Sequence, residues 1–171
     1  MSLLAQSVTL SSILTVATSR SQPARSTITL ALYSMIRYYR LQGQPIALPR
    51  QRFTRTGRSY KPAAYTKRKE ADVFILRSSH LGDAIDGPIK MVIEFFHKRP
   101  KRLLRAKDSS NPIPKDKRPD IDNLSKHVLD CMQSANVIKD DGLVWHLTCI
   151  DMYCAKDEEP HTLITIRTNN G

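Results

Sequence analysis

Hydrophobic positions recur along the chain with two different periods. Over residues 89–97, Ile89, Met91, Ile93 and Phe95 alternate with Lys90, Val92, Glu94 and Phe96, the period-two pattern of a strand. Val144–Tyr153 alternates in the same way, with Trp145, Leu147, Cys149, Asp151 and Tyr153 against His146, Thr148, Ile150 and Met152. Thr162–Arg167 is a shorter strand, and Ile36–Leu41 is another that ends at Gly43. Two segments change to helical spacing. Residues 63–79 follow Pro62, which suits a helix start, and Ala64, Tyr65, Ala71, Val73 and Leu76 make its expected buried face. Residues 120–135 carry Ile121, Leu124, Val128, Cys131 or Met132, and Ala135 at three- and four-residue steps, with Asn136 as the expected stop.

Between these elements lie two basic segments without regular period. Residues 44–62 hold Arg50, Arg52, Arg55, Arg58 and Lys61 interleaved with Phe53 and Tyr60. Pro45, Pro49 and Thr56-Gly57 there suggest an extended loop and a hairpin turn. Residues 98–118 hold nine basic residues and three prolines in 21 positions. A loop of that length is expected to be a mobile basic flap rather than a packed element. The resulting order is strand, basic hairpin, helix, strand, flap, helix, strand, strand. It predicts an α+β domain whose mixed sheet of about four to five strands is covered by two main helices. Residues 1–34 differ in composition, with eight Ser, five Thr, two Arg and no acidic residue. They are read as a disordered or atypical N-terminal extension, and a targeting presequence or docking arm are the alternatives. The folded domain is expected over 35–171.

Charge narrows the function. The 171 residues include 27 Lys and Arg against 16 Asp and Glu, a formal net charge of +11, which favours a polyanionic partner. The three cysteines, Cys131, Cys149 and Cys154, lack the spacing of a zinc finger and read as small buried hydrophobes in a reducing compartment. No apolar run reaches the ~20 residues of a membrane-spanning helix.

Against this basic background stand two acidic pairs, Asp120 and Asp122 at the mouth of the second helix and Asp140-Asp141 in an Asp-Gly turn after it. Carboxylates in a phosphate-attracting field are the donor set of a hard metal that works on phosphodiesters. Pro119 disfavours helical geometry at Arg118, so Asp120 is expected to stand outside the helix. The competing reading is that Asp120 and Asp122 cap the helix and Asp140-Asp141 merely turn. If the site is real, Asp120, Asp122 and Asp141 hold Mg²⁺, with Asp140 close by and Mn²⁺ as an alternative ion. Lys126, one turn beyond Asp122, either neutralises phosphate charge or pairs with Asp122 or Asp130. His127, without a visible partner, is expected at the surface. Distance is a constraint. Helix 122–135 advances about 20 Å, and six extended steps return at most about 20 Å. The second pair could instead approach across a symmetric dimer.

The run Arg118-Pro119-Asp120-Ile121-Asp122-Asn123-Leu124-Ser125-Lys126, followed by Asp140-Asp141, resembles the signature of RusA-type Holliday junction resolvases. Residues 49–58 are similar to the basic N-terminal motif of that family, and the resemblance extends over about 36–168. It implies a homodimeric, Mg²⁺-dependent endonuclease that cuts four-way DNA junctions symmetrically, in the cytoplasm of a bacterial or phage-infected cell. By the same resemblance Asp120, Asp122, Asp141 and Lys126 are the catalytic residues. The expected DNA contacts are Arg50, Arg52, Arg55, Arg58 and Lys61, then Lys98, Arg99, Lys101, Arg102, Lys117 and Arg118. A nuclease for other branched DNA, or a non-catalytic DNA- or RNA-binding protein, are the alternatives.

Overall fold

The computed structural model describes residues 36–50, 52–53 and 55–168, apart from the side chains of Arg52, Phe53 and Ser59. The expected N-terminal extension lies outside the described residues. The elements run β1 (Ile36–Gln42), β2 (Arg52–Phe53), β3 (Ser59–Tyr60), α1 (Ala63–Ser79), β4 (Ile89–His97), β5 (Ile113–Pro114), α2 (Ile121–Ser134), β6 (Val144–Tyr153) and β7 (His161–Thr168). Five strands form one mixed sheet in the order β1-β7-β4-β6-β5, and β2 pairs with β3 in a separate hairpin. Gly57, at φ 78°, turns that hairpin. β4 pairs antiparallel with β7 and parallel with β6, so a crossover through α2 separates β4 from β6. This is the expected α+β architecture.

Alternation decides which sheet face is covered. Ile89, Met91, Ile93 and Phe95 of β4 and Ile164 and Ile166 of β7 point to one side and are fully buried. They meet Leu76 of α1 and Leu124, Val128, Cys131 and Met132 of α2 in a single core. Ala64 and Ala71, expected in the α1 core face, are exposed; Asp72 is buried there instead. α2 ends as expected, with Asn136 at φ 60°, a left-handed position that asparagine tolerates. Trp145 departs from the β6 alternation because the register with β4 shifts between Ile89 and Lys90. β6 is nearly an edge strand, since β5 pairs only with its Met152 and Tyr153. Along the unpaired stretch Trp145, Leu147 and Ile150 are exposed. Among the described residues no helix is long and apolar enough to cross a membrane.

Candidate metal centre

Asp120 is the residue immediately before α2 and has extended backbone, φ −74° and ψ 143°. Its carbonyl accepts the first helical N–H bonds, from Asn123 and Leu124, but its carboxylate makes no capping hydrogen bond. Asp120 thus occupies the N-cap position without capping a backbone N–H through its side chain. Asp122 sits in the first helical turn, where a carboxylate suits the positive end of the helix dipole. Its Oδ2 lies 3.4 Å from Lys126 Nζ, and both side chains are more than half exposed. Asp140 behaves differently. Its Oδ1 accepts a 2.7 Å hydrogen bond from Gly142 N and caps the single 3₁₀ turn that leads into β6. Asp141 begins that turn and is exposed.

The two acidic pairs stand at opposite ends of α2. Asp120 adjoins Asp151 near the end of β6, because Lys115 Nζ donates both to Asp151 Oδ2 at 2.6 Å and to Pro119 O at 3.2 Å. Asp141 lies just before the start of β6. The seven steps from Val144 to Asp151 span about 23 Å at ~3.3 Å per residue. A single chain thus leaves Asp141 far from Asp120 and Asp122.

A buried clamp fixes the loop ahead of Asp120. Lys115, 3% exposed at its side chain, also donates to Lys117 O, so its ammonium holds carbonyls on both sides of Arg118. Asp151 faces His97 Nε2 at 2.8 Å on its other oxygen. Gln44 sets the His97 tautomer: its Oε1 accepts from Lys98 N, so its amide N–H donates to His97 Nδ1 at 2.8 Å. The ring proton then lies on Nε2, although Nε2 and Asp151 Oδ1 are not aligned for a hydrogen bond. Periodicity could not reveal this set, because the partners come from four separated segments.

Arg99 was expected at DNA, yet it is 4% exposed, and its guanidinium donates to the carbonyls of Cys154, Ser109 and Asn111. It tethers the largely exposed 98–118 segment, because inward carbonyls supply the partners that a buried guanidinium requires. Lys98, Lys101, Arg102, Lys117 and Arg118 remain exposed, as do Arg50, Arg55, Arg58 and Lys61; the Arg52 side chain lies outside the described residues. His127, expected at the surface, is 2% exposed. Its Nε2 donates to Asp72 Oδ2 at 3.1 Å, and its Nδ1 accepts from Tyr65 Oη at 3.1 Å. Arg68 Nε completes the network by donating to Asp72 Oδ1 at 2.9 Å. Burial, then the nearby Cys131, Asp130 and Asp72 charges, push the Tyr65 hydroxyl up to about 12. Burial and Asp72 likewise push the Cys131 thiol up to about 12.

Among the described residues, two groups of donors lie close enough to share a metal ion, Asp72/His127/Cys131 and Cys154/Glu158/His161. In the first, Cys131 Sγ is 3.5 Å from His127 Nε2 and 3.8 Å from Nδ1, so the sulfur lies beside the ring. A metal on Nε2 with a ~2.3 Å bond to sulfur would set it about 5 Å from Nδ1. That group is a satisfied hydrogen-bond network.

The family model described as endodeoxyribonuclease RusA matches residues 42–167. A crossover junction endodeoxyribonuclease RusA of Aquifex aeolicus (strain VF5) is 30% identical over 91 residues, which cover 53% of this chain and 60% of that protein.

Proposed function

The chain belongs to the RusA endodeoxyribonuclease family, and on that premise we propose that it is a Mg²⁺-dependent endonuclease that resolves four-way DNA junctions as a homodimer, with residues 35–171 as the nuclease domain. The observation that carries this reading is Asp120. Asp120 stands immediately ahead of α2, two residues from Asp122, and its carboxylate makes no capping hydrogen bond. All-oxygen donors suit Mg²⁺, or Mn²⁺ in its place. Asp120, Asp122 and Asp141 would hold the ion, with Asp140 orienting the turn that carries Asp141. The chemistry a bound Mg²⁺ supplies is charge neutralisation at the scissile phosphate and activation of the attacking water. Lys126 stands one turn from Asp122 and is free to move from that carboxylate to a phosphate oxygen. The exposed basic residues of the 50–61 hairpin and of 98–118 would hold the phosphate backbone.

The dimer follows from the separation of the acidic pairs. β6 offers an unpaired edge with exposed Trp145, Leu147 and Ile150, a strand that invites pairing. Antiparallel pairing of two β6 strands about Leu147 would oppose position 144 to 150 and carry Asp141 of one protomer toward the Asp120–Asp122 end of its partner. Two equivalent sites would result, related by a two-fold axis, as symmetric cleavage of a four-way junction requires.

The test is a labelled four-way junction and a matched duplex, each with Mg²⁺ and with EDTA. Paired nicks at symmetric positions in the junction, only with Mg²⁺, are expected. Tight binding without cutting in any divalent ion would assign the protein to the non-catalytic class.

A further inference from the structure

The second donor group lies at the turn between β6 and β7, on a different stretch of chain from the aspartates. Cys154 follows the last residue of β6, His161 opens β7, and Glu158 lies between them. Cys154 and His161 are 0% and 2% exposed, whereas the Glu158 side chain is 34% exposed, so the group has a route to solvent. Each donor is held from behind. The backbone of Cys154 donates to His97 O at 2.9 Å and accepts from Arg99 Nε at 3.0 Å. The His161 ring stacks on Phe96 with centroids 4.6 Å apart. Glu158 Oε2 accepts from Ala155 N at 3.4 Å.

The histidine tautomer makes the group more than a chance meeting. His161 Nδ1 lies 2.9 Å from the carbonyl of Glu159, which can only accept, so Nδ1 carries a proton. Histidines that ligate metals commonly donate their second ring nitrogen in this way. Nε2 is then left facing Glu158 Oε1 at 3.6 Å, beyond hydrogen-bond range, with the Cys154 sulfur beside them and all three donor atoms within 4.8 Å of one another. A lone pair and a carboxylate that face each other across such a gap are held together by a metal cation or by a second ring proton on Nε2. Tetrahedral bonds of about 2.0–2.2 Å separate a nitrogen from an oxygen ligand by roughly 3.3–3.5 Å, close to the 3.6 Å here. Of the three cations that line the same pocket, Arg99 is engaged with backbone carbonyls, Lys156 with Arg105 O at 2.7 Å, and Lys98 is exposed.

We propose that Cys154, Glu158 and His161 form a three-ligand site for a borderline-soft divalent metal of the zinc or cobalt type, with a fourth position open to water. A thiolate and an imidazole discriminate against Mg²⁺, so this site and an all-oxygen nuclease site would sort metals by ligand softness. The proposal is independent of nuclease activity.

Co²⁺ titration of the full chain, followed by absorption, tests it. One equivalent of Co²⁺ should produce a sulfur-to-cobalt charge-transfer band and tetrahedral d–d bands, both removed by one equivalent of Zn²⁺ and untouched by excess Mg²⁺. Cys154→Ser should remove the charge-transfer band, and Cys131→Ser should leave it. Because Cys154 is buried, Glu158→Gln serves as the second variant: it should weaken Co²⁺ binding at least about tenfold with an unchanged thermal midpoint. Absence of a thiolate band in the wild-type chain would overturn the proposal and leave an imidazolium–carboxylate pair at the turn. So would a band lost with Cys131→Ser and kept with Cys154→Ser.

Discussion

Replacing Asp151 with alanine tests the clamp on the Asp120 loop. Asp151 is 10% exposed at its side chain, lies 2.6 Å from Lys115 Nζ and faces His97 at 2.8 Å. Its removal strands the Lys115 ammonium, 3% exposed, among carbonyls that accept hydrogen bonds without supplying a counter-charge. Breaking a buried ion pair from one side costs about 3–5 kcal/mol. The expected loss is therefore about 3–5 kcal/mol, a fall of roughly 10–15 °C in Tm for a domain of this size. Urea unfolding followed by circular dichroism, at one fixed protein concentration, measures it. The double variant Lys115→Met/Asp151→Leu removes both charges and should recover at least half the loss. A single-variant loss below about 1 kcal/mol, or a double variant that merely sums the singles, would refute the clamp.

Asp122→Asn should abolish Mg²⁺-dependent cutting while junction binding, read by gel shift, is kept or tightened, because a negative charge near phosphate is removed. Arg50→Ala or Arg55→Ala should lower the slope of log K against log salt by about one per lost phosphate contact. Arg99→Ala should leave that slope unchanged and lower Tm, since its guanidinium is bound to carbonyls. Leu147→Lys should convert a dimer to monomers in sedimentation and weaken Mn²⁺ binding at the aspartates; an unchanged dimer would move the interface away from β6. Tyr65 and Cys131 have folded pKa values raised above their ordinary 10.0 and 9.0 to about 12. Above pH 9 the unfolded chain loses these protons first, so urea stability should fall as pH rises from about 9 to 12. A Tyr65→Phe/Cys131→Ala variant should show a shallower fall.

Local structure was legible residue by residue, and so was the acidic motif. Period-two alternation located β4, β6 and β7, and the three- and four-residue steps located α2, because burial of one face is imposed residue by residue along the element. Asp120 and Asp122 were legible because Pro119 and the start of the apolar helical stripe identify the helix mouth. Contacts between distant segments were not legible. His127 read as a surface residue because its partners, Tyr65 and Asp72, lie 62 and 55 residues away. Arg99 and Lys115 read as part of a loose basic loop because sequence shows charge and not the inward carbonyls and the Asp151 carboxylate that satisfy it. The separation of Asp141 from Asp120 was visible only as a tight limit on chain length. The parallel register of β6 against β4 sets it, by directing the chain from Asp141 away toward Asp151. A charged group can be buried wherever the fold supplies its partners, and hydrophobic period carries no record of where those partners come from.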